Sequence, residues 1–435
     1  MSLFNSLATA VSGMNAQGRA IANISDNVAN SQTTGYKRLD TNFEDMVVNA
    51  GTGRFTGGVV ANTVATNDVQ GTISQVDNPL AMAISGRGFF SVARPIASAS
   101  GETDFDSRAM FTRAGDFRMN SEGYLQNGSG DVLRGWSVDP ATGRPDATRL
   151  SPIRIDRASL PPAPTEAVTL SANLPAGAAT GTRGSTQAQV YDQLGNLHPL
   201  DLGWARGADD NSWTLAVTRP APGGGQAAEL GTFTVNFGTN GAPAGTIGEV
   251  LDGAGNTVGR FDPANPANAL LNVTGNFGGT DQAIDIDLGR FGSTQGVTQY
   301  GGAAYELRSV SRDGGPAGAV ASVSTQADGK VVVNYDNGES RTVAQVPVVS
   351  FADPDALERL DGQAFAATQE AGRQQVSAIG ANGTGTLQAG AVEGANVDIA
   401  AEFSKLIVAQ RAYSANTKLV TTADELLQET VNLKR

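Results

Sequence analysis

Cysteine is absent from the 435 residues, and histidine occurs once, at position 198. The absence of cysteine excludes disulfide bonds, thiol nucleophiles and thiolate metal ligands. A single histidine excludes sites built from several imidazoles. His198 precedes Pro199, so the sequence favours a turn residue over a catalytic one. We therefore expect no enzymatic activity, no cofactor and no metal.

Basic residues and long apolar runs are also scarce. The formal net charge is −13, and only five residues are lysine. No basic stripe is available to neutralise phosphates, and no run is long and apolar enough to cross a membrane. The first basic residue is Arg19, so the N-terminus does not resemble a cleavable secretory signal. We expect no nucleic-acid partner and no membrane insertion, and if the protein is exported, we expect a route that reads another signal.

Aromatic residues make up 6% of the chain, whereas glycine occurs 54 times and proline 18 times. An apolar content of 40% still favours a globular protein over a disordered one. This composition is typical of turn-rich β structure. The predicted fold class is mainly β, with α-helical termini that pair as a coiled coil and two all-β domains, sandwich-like or barrel-like, nested in the chain between them.

Both ends of the chain carry apolar residues at intervals of seven, which is the repeat of a coiled-coil seam. Such a one-sided stripe is marginally stable until it is covered. The two stripes could cover each other as an ordinary helical hairpin within a monomer, or they could form an assembly interface between copies, which we expect. Its predicted residues are Leu7, Val11, Met14, Ile21, Ile24 and Val28 at the front, and Ile399, Phe403, Leu406, Tyr413, Val420 and Leu427 at the back.

Composition shifts divide the chain into nested domains. Residues 1–30 and 396–435 are predicted to form the terminal coiled coil, and residues 31–70 and 366–395 an extended connector. Alternating apolar residues predict a first, split β domain at 71–150 and 300–365. A second β domain is predicted as an insert at 151–299, and Pro152 and the proline-rich stretch 160–164 mark its beginning. Asp328-Gly329 and Asn337-Gly338 predict hairpin turns.

Other motifs that suggest chemistry are better explained as turns or caps. Gly86-Arg87-Gly88 opens no helix, which argues against a nucleotide loop. Residues 252–256 and 336–339 lack the ligand spacing of a calcium loop. Asp361 is not placed across a cleft from another acid, and Asp398 directly precedes Ile399, where a carboxylate would cap the last helix.

Several ordered motifs resemble the bacterial flagellar rod and hook family. They run from residues 7–17, 24–30 and 34–38 through 83–90, 111–117, 123–125 and 135–136 to 396–398 and 409–413. Asp26, Val28 and residues 389–394 depart from the family pattern. The family-motif positions singled out are Ser12, Gly13, Met14, Asn27, Asn30, Gly35, Phe89, Phe90, Gly115, Asn396, Asp398, Gln410 and Arg411.

Within that family, residues 190–198 and 361–365 are similar to hook patterns. The resemblance implies a structural subunit of the extracellular flagellar hook, which polymerises into a curved tube and acts as a universal joint between motor and filament. It also implies several partners. They are further copies of the chain, the distal rod protein, the hook cap protein, the hook–filament junction protein and the flagellar type III export apparatus.

Two alternatives remain open at this stage. A distal-rod or other axial flagellar protein would form a straight, rigid tube and would not need the 151–299 insert. A secreted β-rich adhesin or glycan-binding module would be a stable monomer that functions without its ends.

Overall fold

The computed structural model describes residues 3–50, 53–96, 103–139, 142–221 and 225–432. The chain divides into two compact units. The first comprises Met1–Arg157, Ala321–Asn334 and Ser340–Arg435. The second comprises Ala158–Val320 and Tyr335–Glu339.

A long helix begins and ends the described chain. The first, α1, spans Leu3–Ala29, and the last, α2, spans Ile399–Asn432. At 1.5 Å per residue they are about 40 and 50 Å long. The two helices pair, and the rest of the fold is mainly β, so the predicted fold class is confirmed.

Short strands dominate the first unit after α1. They are β1 (Leu39–Ala50), β2 (Gly53–Ala65), β3 (Ile73–Gln75), β4 (Met82–Ser85), β5 (Phe90–Ala93), β6 (Pro95–Ile96), β7 (Asp104–Phe105), β8 (Met110–Thr112), β9 (Arg118–Met119), β10 (Leu125–Gln126), β11 (Val132–Ser137) and β12 (Ser151–Pro152).

Among the described residues, the second unit contains eleven strands. They are β13 (Ala167–Pro175), β14 (Arg183–Tyr191), β15 (Leu197–Arg206), β16 (Ser212–Arg219), β17 (Ala228–Phe237), β18 (Ile247–Asp252), β19 (Thr257–Arg260), β20 (Asn268–Phe277), β21 (Thr280–Arg290), β22 (Val297–Tyr300) and β23 (Glu306–Arg312).

The chain then returns to the first unit. Its remaining strands are β24 (Val320–Thr325), β25 (Lys330–Tyr335), β26 (Ser340–Gln345), β27 (Val348–Ser350), β28 (Glu358–Arg359), β29 (Ala364–Ala366), β30 (Gln375–Ser377), β31 (Thr386–Ala389) and β32 (Ala391–Glu393), with a short 3-10 helix at Pro354–Ala356.

The main sheet of the first unit joins strands from both halves of the chain. Its order is β24-β25-β26-β11-β5-β8-β29-β28, and β9, β10 and β12 pair along its side. Beside it lies a buried cluster whose aromatic members are Phe89, Phe111, Phe351 and Phe365. Phe89 packs edge-to-face on Phe365, with ring centroids 5.7 Å apart.

The segments predicted as an extended connector are more ordered than expected. Strands β1 and β2 form an antiparallel hairpin in which Leu39 pairs with Ala65. In residues 366–395, β30, β31 and β32 pair with β27, β4 and β3 respectively. Leu387 and Ala391 are buried there. This stretch is glycine-rich because its turns need glycine, and its short strands complete sheets whose other strands come from distant sequence.

In the second unit, two sheets enclose one continuous core. Strands β14 to β19 form an antiparallel meander, and β20, β21, β13 and β22 form the other sheet, with β23 added to β13. Trp204, Trp213 and Leu215 are at most 1% exposed in the core. Because β23 pairs with β13, this unit continues to Val320, beyond the predicted boundary at residue 299.

His198 lies in a strand and not in a turn. It is the second residue of β15 and pairs with Val190. Its Nε2 lies 3.0 Å from Oδ2 of Asp192, a carboxylate that also accepts backbone N–H bonds from Leu194 and Asn196. Burial alone would raise the pKa of Asp192, but these hydrogen bonds hold it well below its usual range.

Candidate assembly interface

One side of α1 packs on the β1–β2 hairpin through polar contacts. Arg19 Nη1 donates to the Ala61 carbonyl over 2.9 Å. Asn23 Nδ2 donates to the hydroxyls of Thr41 and Thr63, over 2.8 and 3.1 Å. These contacts fix the helix on the hairpin at defined positions, which an apolar face alone would not do.

Small residues make the closest contacts between α1 and α2. A Cβ atom on Gly13 would lie only 2.8 Å from Nδ2 of Asn416, and the Thr417 hydroxyl lies 3.5 Å from the Met14 sulfur. Small side chains let two helices approach closely. The buried alanines on the two helices are Ala10, Ala16, Ala20, Ala409 and Ala423.

The larger predicted residues of α1 lie at the edge of this contact. Val11 is 40% exposed and Ile24 is buried. Four others are half-buried, namely Leu7, Met14, Ile21 and Val28.

On α2, the predicted residues fall into two groups. Leu406, Val420 and Leu427 are half-buried, whereas Ile399, Phe403 and Tyr413 are exposed. Further large apolar side chains are open on the same helix. The exposed set is Ile399, Phe403, Ile407, Val408, Tyr413, Leu419 and Leu426.

A groove of ≈ 490 Å³ runs between α1, α2 and β1. Its apolar lining includes Ile24, Phe43 and Val408. Asp40 and Lys405 carry charge at the same groove.

Asn27 links α1 to the rest of the first unit and is fully buried. Its Nδ2 donates to the Leu39 carbonyl over 2.8 Å and to Glu402 Oε2 over 3.0 Å. Its Oδ1 accepts from the Leu39 N–H and from the Tyr36 hydroxyl. An amide side chain has two N–H donors and an oxygen with two lone pairs, so all of its hydrogen-bonding capacity is used here.

Lys405 connects the same network to the hairpin. Its Nζ lies 2.8 Å from Glu402 Oε1 and 2.8 Å from Asp40 Oδ1. Burial opposes the ionisation of Asp40, but Lys405 and Arg38 outweigh it and lower the pKa of that carboxyl. Burial likewise opposes the charge on Lys405, and the two carboxylates outweigh it and raise the pKa of the ammonium.

A second charged cluster lies where α1 and α2 meet the β strands. Glu393 is fully buried between Lys37, 2.6 Å away, and Arg113, 2.9 Å away. Its Oε1 also accepts the Gly71 N–H. Burial lowers the pKa of Lys37, and nearby Arg113 adds to that effect while Glu393 opposes it. The carboxylate therefore holds together segments from both ends of the chain.

The residues that flank Glu393 connect the same segments. Asn396 accepts the Arg38 N–H at 2.7 Å and donates to the carbonyls of Thr66 and Val69.

The predicted cap of α2 is present, because Asp398 Oδ1 accepts the N–H groups of Ala400 and Ala401.

Two of the predicted glycines are required by close packing. Gly35 has a φ of +70°, and a Cβ atom there would lie 2.3 Å from the Ala114 nitrogen. At Gly115 a Cβ atom would lie 1.6 Å from the Met82 carbonyl oxygen. Any larger residue would separate the strands that hold Glu393 and its partners.

The remaining motif positions are spread over the unit. Ser12 Oγ accepts the Val59 N–H, and Asn30 Nδ2 donates to the Asp26 carbonyl. Phe89 and Phe90 are core residues. Gln410 and Arg411 are exposed on α2.

Sequence reasoning missed the two buried glutamates, Glu393 and Glu402. Each resembles an ordinary surface acid when it is read with its neighbours. The one available signal was the pair of basic residues Lys37 and Arg113, both inside family motifs, in a chain where lysine is rare.

Among the described residues, no helix is long and apolar enough to cross a membrane.

Four sequence-family models match the chain. They are "Flagella basal body rod protein" at residues 7–37, "Flagellar hook protein FlgE/F/G D1 domain" at 83–173, "Flagellar basal body protein FlaE D2 domain" at 156–314 and "Flagellar basal body rod FlgEFG protein C-terminal" at 388–433.

Full-length relatives carry the same description. The chain is 32% identical to the flagellar hook protein FlgE of Brucella abortus over 441 residues, which cover all of both chains. It is 32% identical to FlgE of Rhizobium meliloti over 440 residues, with the same coverage. For FlgE of Salmonella typhimurium the identity is 27%, over 99% of this chain and 100% of the relative.

A solved structure shares the fold. The flagellar hook protein FlgE2 of Helicobacter pylori matches 72% of this chain and 99% of its own, with a TM-score of 0.52 and 11% identity. On the sequence relationships with full-length relatives, the chain belongs to the FlgE family of flagellar hook proteins.

Proposed function

We propose that this protein is the structural subunit of the flagellar hook and that it polymerises through its helix pair. The observation that carries the proposal is the set of exposed apolar side chains on α2 between Ile399 and Leu426. Family membership supports a hook subunit and argues against the adhesin alternative. The distal-rod alternative is less well supported, because the full-length relatives are hook proteins.

The exposed side chains favour association because burying each one would release apolar surface from water. Full burial of a Leu, Ile or Phe side chain contributes about 1.5–3 kcal/mol. Phe403, Ile407 and Val408 are 50%, 52% and 67% exposed. Burial of these side chains in a contact with another copy would therefore stabilise the assembled state by several times the thermal energy RT.

The groove between α1, α2 and β1 offers a complementary surface on the same unit. Its lining residues Ala20, Ile24 and Phe43 are apolar, while Asp40 and Lys405 can orient a partner by charge. If the exposed apolar side chains on α2 of one copy contact a different surface of the next copy, the interface is head-to-tail. Such an interface generates a ring or an open helical polymer, and a tube requires the latter.

The other expected partners follow from the role of a hook subunit. They are the distal rod protein on which the tube begins, the hook cap protein, the hook–filament junction protein and the flagellar type III export apparatus. We propose that the subunit reaches the hook through that apparatus, without a cleavable signal peptide. In this role the tube transmits torque while it bends, and no catalytic step is required.

The test replaces Phe403 with aspartate, which puts a charge into the proposed interface while leaving the monomer core intact. Phe403→Asp should leave the free energy of unfolding of the monomer within about 0.5 kcal/mol, as is usual for surface substitutions. It should abolish hooks in cells that lack their own hook protein, measured by electron microscopy and swimming assays.

Leu194→Asp is the matched control, because Leu194 is an exposed apolar residue of the second unit, at 76% exposure. It should support normal hooks. Hooks of normal number and length with Phe403→Asp would contradict the proposed interface. Loss of hooks with both variants would show only that an added charge is harmful. The result to compare is therefore the number of hooks formed with each variant.

A further inference from the structure

A second, smaller pocket lies in the first unit beside the main sheet. Its volume is ≈ 250 Å³. Ser91 and Trp136 form buried parts of its lining, and Arg134, Arg149 and Gln374 lie around it. Ligand pockets for drug-sized molecules are usually about 300–1,000 Å³, so this one suits a single side chain or a very small molecule.

Arg134 is a half-buried cation without an anionic partner among the described residues. It lies on β11 two positions before Trp136, so both side chains are on the same face of the strand. Its Nη2 donates to the Leu150 carbonyl over 2.9 Å. Burial lowers the pKa of its guanidinium, and no carboxylate opposes that effect. Four of its five N–H donors remain available.

Ser91 adds an unsatisfied hydroxyl to the same pocket. The residue is 1% exposed, and its Oγ has no hydrogen-bond partner among the described residues. Buried hydroxyls nearly always have a partner. A ligand atom that accepts a hydrogen bond would satisfy both Ser91 and Arg134.

Arg149 supplies a second positive charge at the opening. It is exposed and forms no ion pair within the described part of the chain, although the nearby Asp146 carboxylate offsets part of its charge. Its segment is held in place by Asp146, whose Oδ1 accepts the N–H of Thr148 over 3.0 Å and its hydroxyl over 2.6 Å.

These groups together select a carboxylate. A guanidinium binds a carboxylate through two parallel hydrogen bonds, which gives strength and direction. Trp136, Ala109 and Val376 offer apolar surface for a short aliphatic stem. Leaving a half-buried guanidinium without an anion is unfavourable, so occupancy by an acid would remove that penalty.

We propose that this pocket binds a carboxylate on a short apolar stem, and that in the assembled hook this carboxylate is an aspartate or glutamate side chain of a second copy of the chain. The second part rests on the proposed function. The chain has 43 acidic residues against 30 basic ones, so the surface of a neighbouring copy presents carboxylates in excess. A free small carboxylic acid shares the same chemistry, and the experiment separates the two sources.

The experiment measures how fast phenylglyoxal labels Arg134, using mass spectrometry and a buffer without carboxylate or phosphate. In the monomer, butyrate at tens of millimolar should slow labelling of Arg134 by about threefold or more, whereas uncharged butyramide should not. Arg87, an exposed arginine outside the pocket, is the control and should label at an unchanged rate. Ser91→Ala should weaken the butyrate effect with its circular dichroism unchanged.

The same labelling is then applied to assembled hooks without added acid. Slow labelling of Arg134 relative to Arg87 in hooks would support a side chain of a second copy as the ligand. Rapid labelling in hooks, together with butyrate protection in the monomer, would overturn that part and leave a site for a free acid. No butyrate protection in the monomer would overturn the whole proposal. Because the monomer experiment needs no polymer, its result does not depend on the proposed function.

Discussion

The second unit buries its apolar residues in one continuous core, whereas the helix pair of the first unit leaves seven large apolar side chains open. The second unit is stabilised by residues such as Trp204 and Leu215 between two sheets. In the first unit, by contrast, buried polar residues make the connections. Asn27 links α1 to β1 and to Glu402 of α2, and Glu393 joins β32 to Lys37 and Arg113.

This difference separates stability from assembly. An apolar core tolerates many arrangements of similar energy, but a buried carboxylate that lacks its partners is strongly unfavourable. The polar contacts therefore hold the helices in one orientation relative to the hairpin. That orientation determines which apolar side chains face outward for another copy to cover.

The largest expected effect comes from removing the charge of Glu393. Glu393→Gln leaves Lys37 and Arg113 buried without their anion, which should destabilise the first unit by about 3–5 kcal/mol. Helical circular dichroism reports unfolding of the first unit, and tryptophan fluorescence in a Trp136→Phe background reports the second. Only the helical transition should shift.

Glu358→Gln is the control for that variant, because the exposed pair of Glu358 and Arg108 should contribute little. An unchanged helical transition in Glu393→Gln would contradict the role assigned to the buried cluster.

A cavity in the core of the second unit should destabilise that unit and leave the first unit unchanged. Leu215→Ala removes a fully buried side chain and should cost about 2–5 kcal/mol. The fluorescence transition should fall to lower denaturant while the helical signal stays in place. Simultaneous shifts of both signals would show that the two units unfold together, and the comparison drawn here would then fail.

A smaller effect is expected from Asp192, whose folded-state pKa is depressed. The stabilisation from such a carboxylate is present above its unfolded pKa of about 3.9 and is lost as pH falls through the folded value. Asp192→Asn should therefore destabilise the second unit by about 1–3 kcal/mol at neutral pH, and the difference from the wild type should shrink below about pH 4. Urea unfolding followed by fluorescence would measure both.

The smallest effect is expected at Lys405, which is 45% exposed in its pairs with Asp40 and Glu402. Lys405→Met should cost about 1 kcal/mol, because water and salt screen the pair with Asp40, and the buried Glu402 keeps its hydrogen bond from Asn27. Helical circular dichroism in urea is the measurement. A loss as large as that for Glu393→Gln would mean that Glu402 depends on Lys405 as strongly as Glu393 depends on Lys37.

Features set by neighbouring residues could be predicted from the sequence. The hairpin turns at Asp328-Gly329 and Asn337-Gly338 are present, with φ angles of +82° and +86° at the glycines. The cap at Asp398 and the pairing of the terminal helices were also predicted. Each of these depends on a short pattern, namely a turn dipeptide, a carboxylate before a helix, or an apolar repeat.

Features set by distant residues could not be predicted. Glu393 was missed because nothing beside it indicates burial, and its partner Lys37 is 356 positions away. The close approach of Gly13 to Asn416 was not predicted, because an apolar repeat identifies only the large side chains of a helix contact. Residues 366–395 were predicted as a connector because two of their strands, β31 and β32, pair with strands that are far away in sequence.

The long separation of these contacts along the sequence also affects the order in which the two units can fold. Asn27 and Glu402 are 375 positions apart in sequence. The contact between the two helices therefore cannot form until almost the whole chain has been synthesised. The second unit is built from one nearly continuous stretch and can fold earlier. A chain that is cut short before Glu393 therefore lacks the carboxylates that pair with Lys37 and Lys405, and under the proposed interface such copies should not add to a growing polymer.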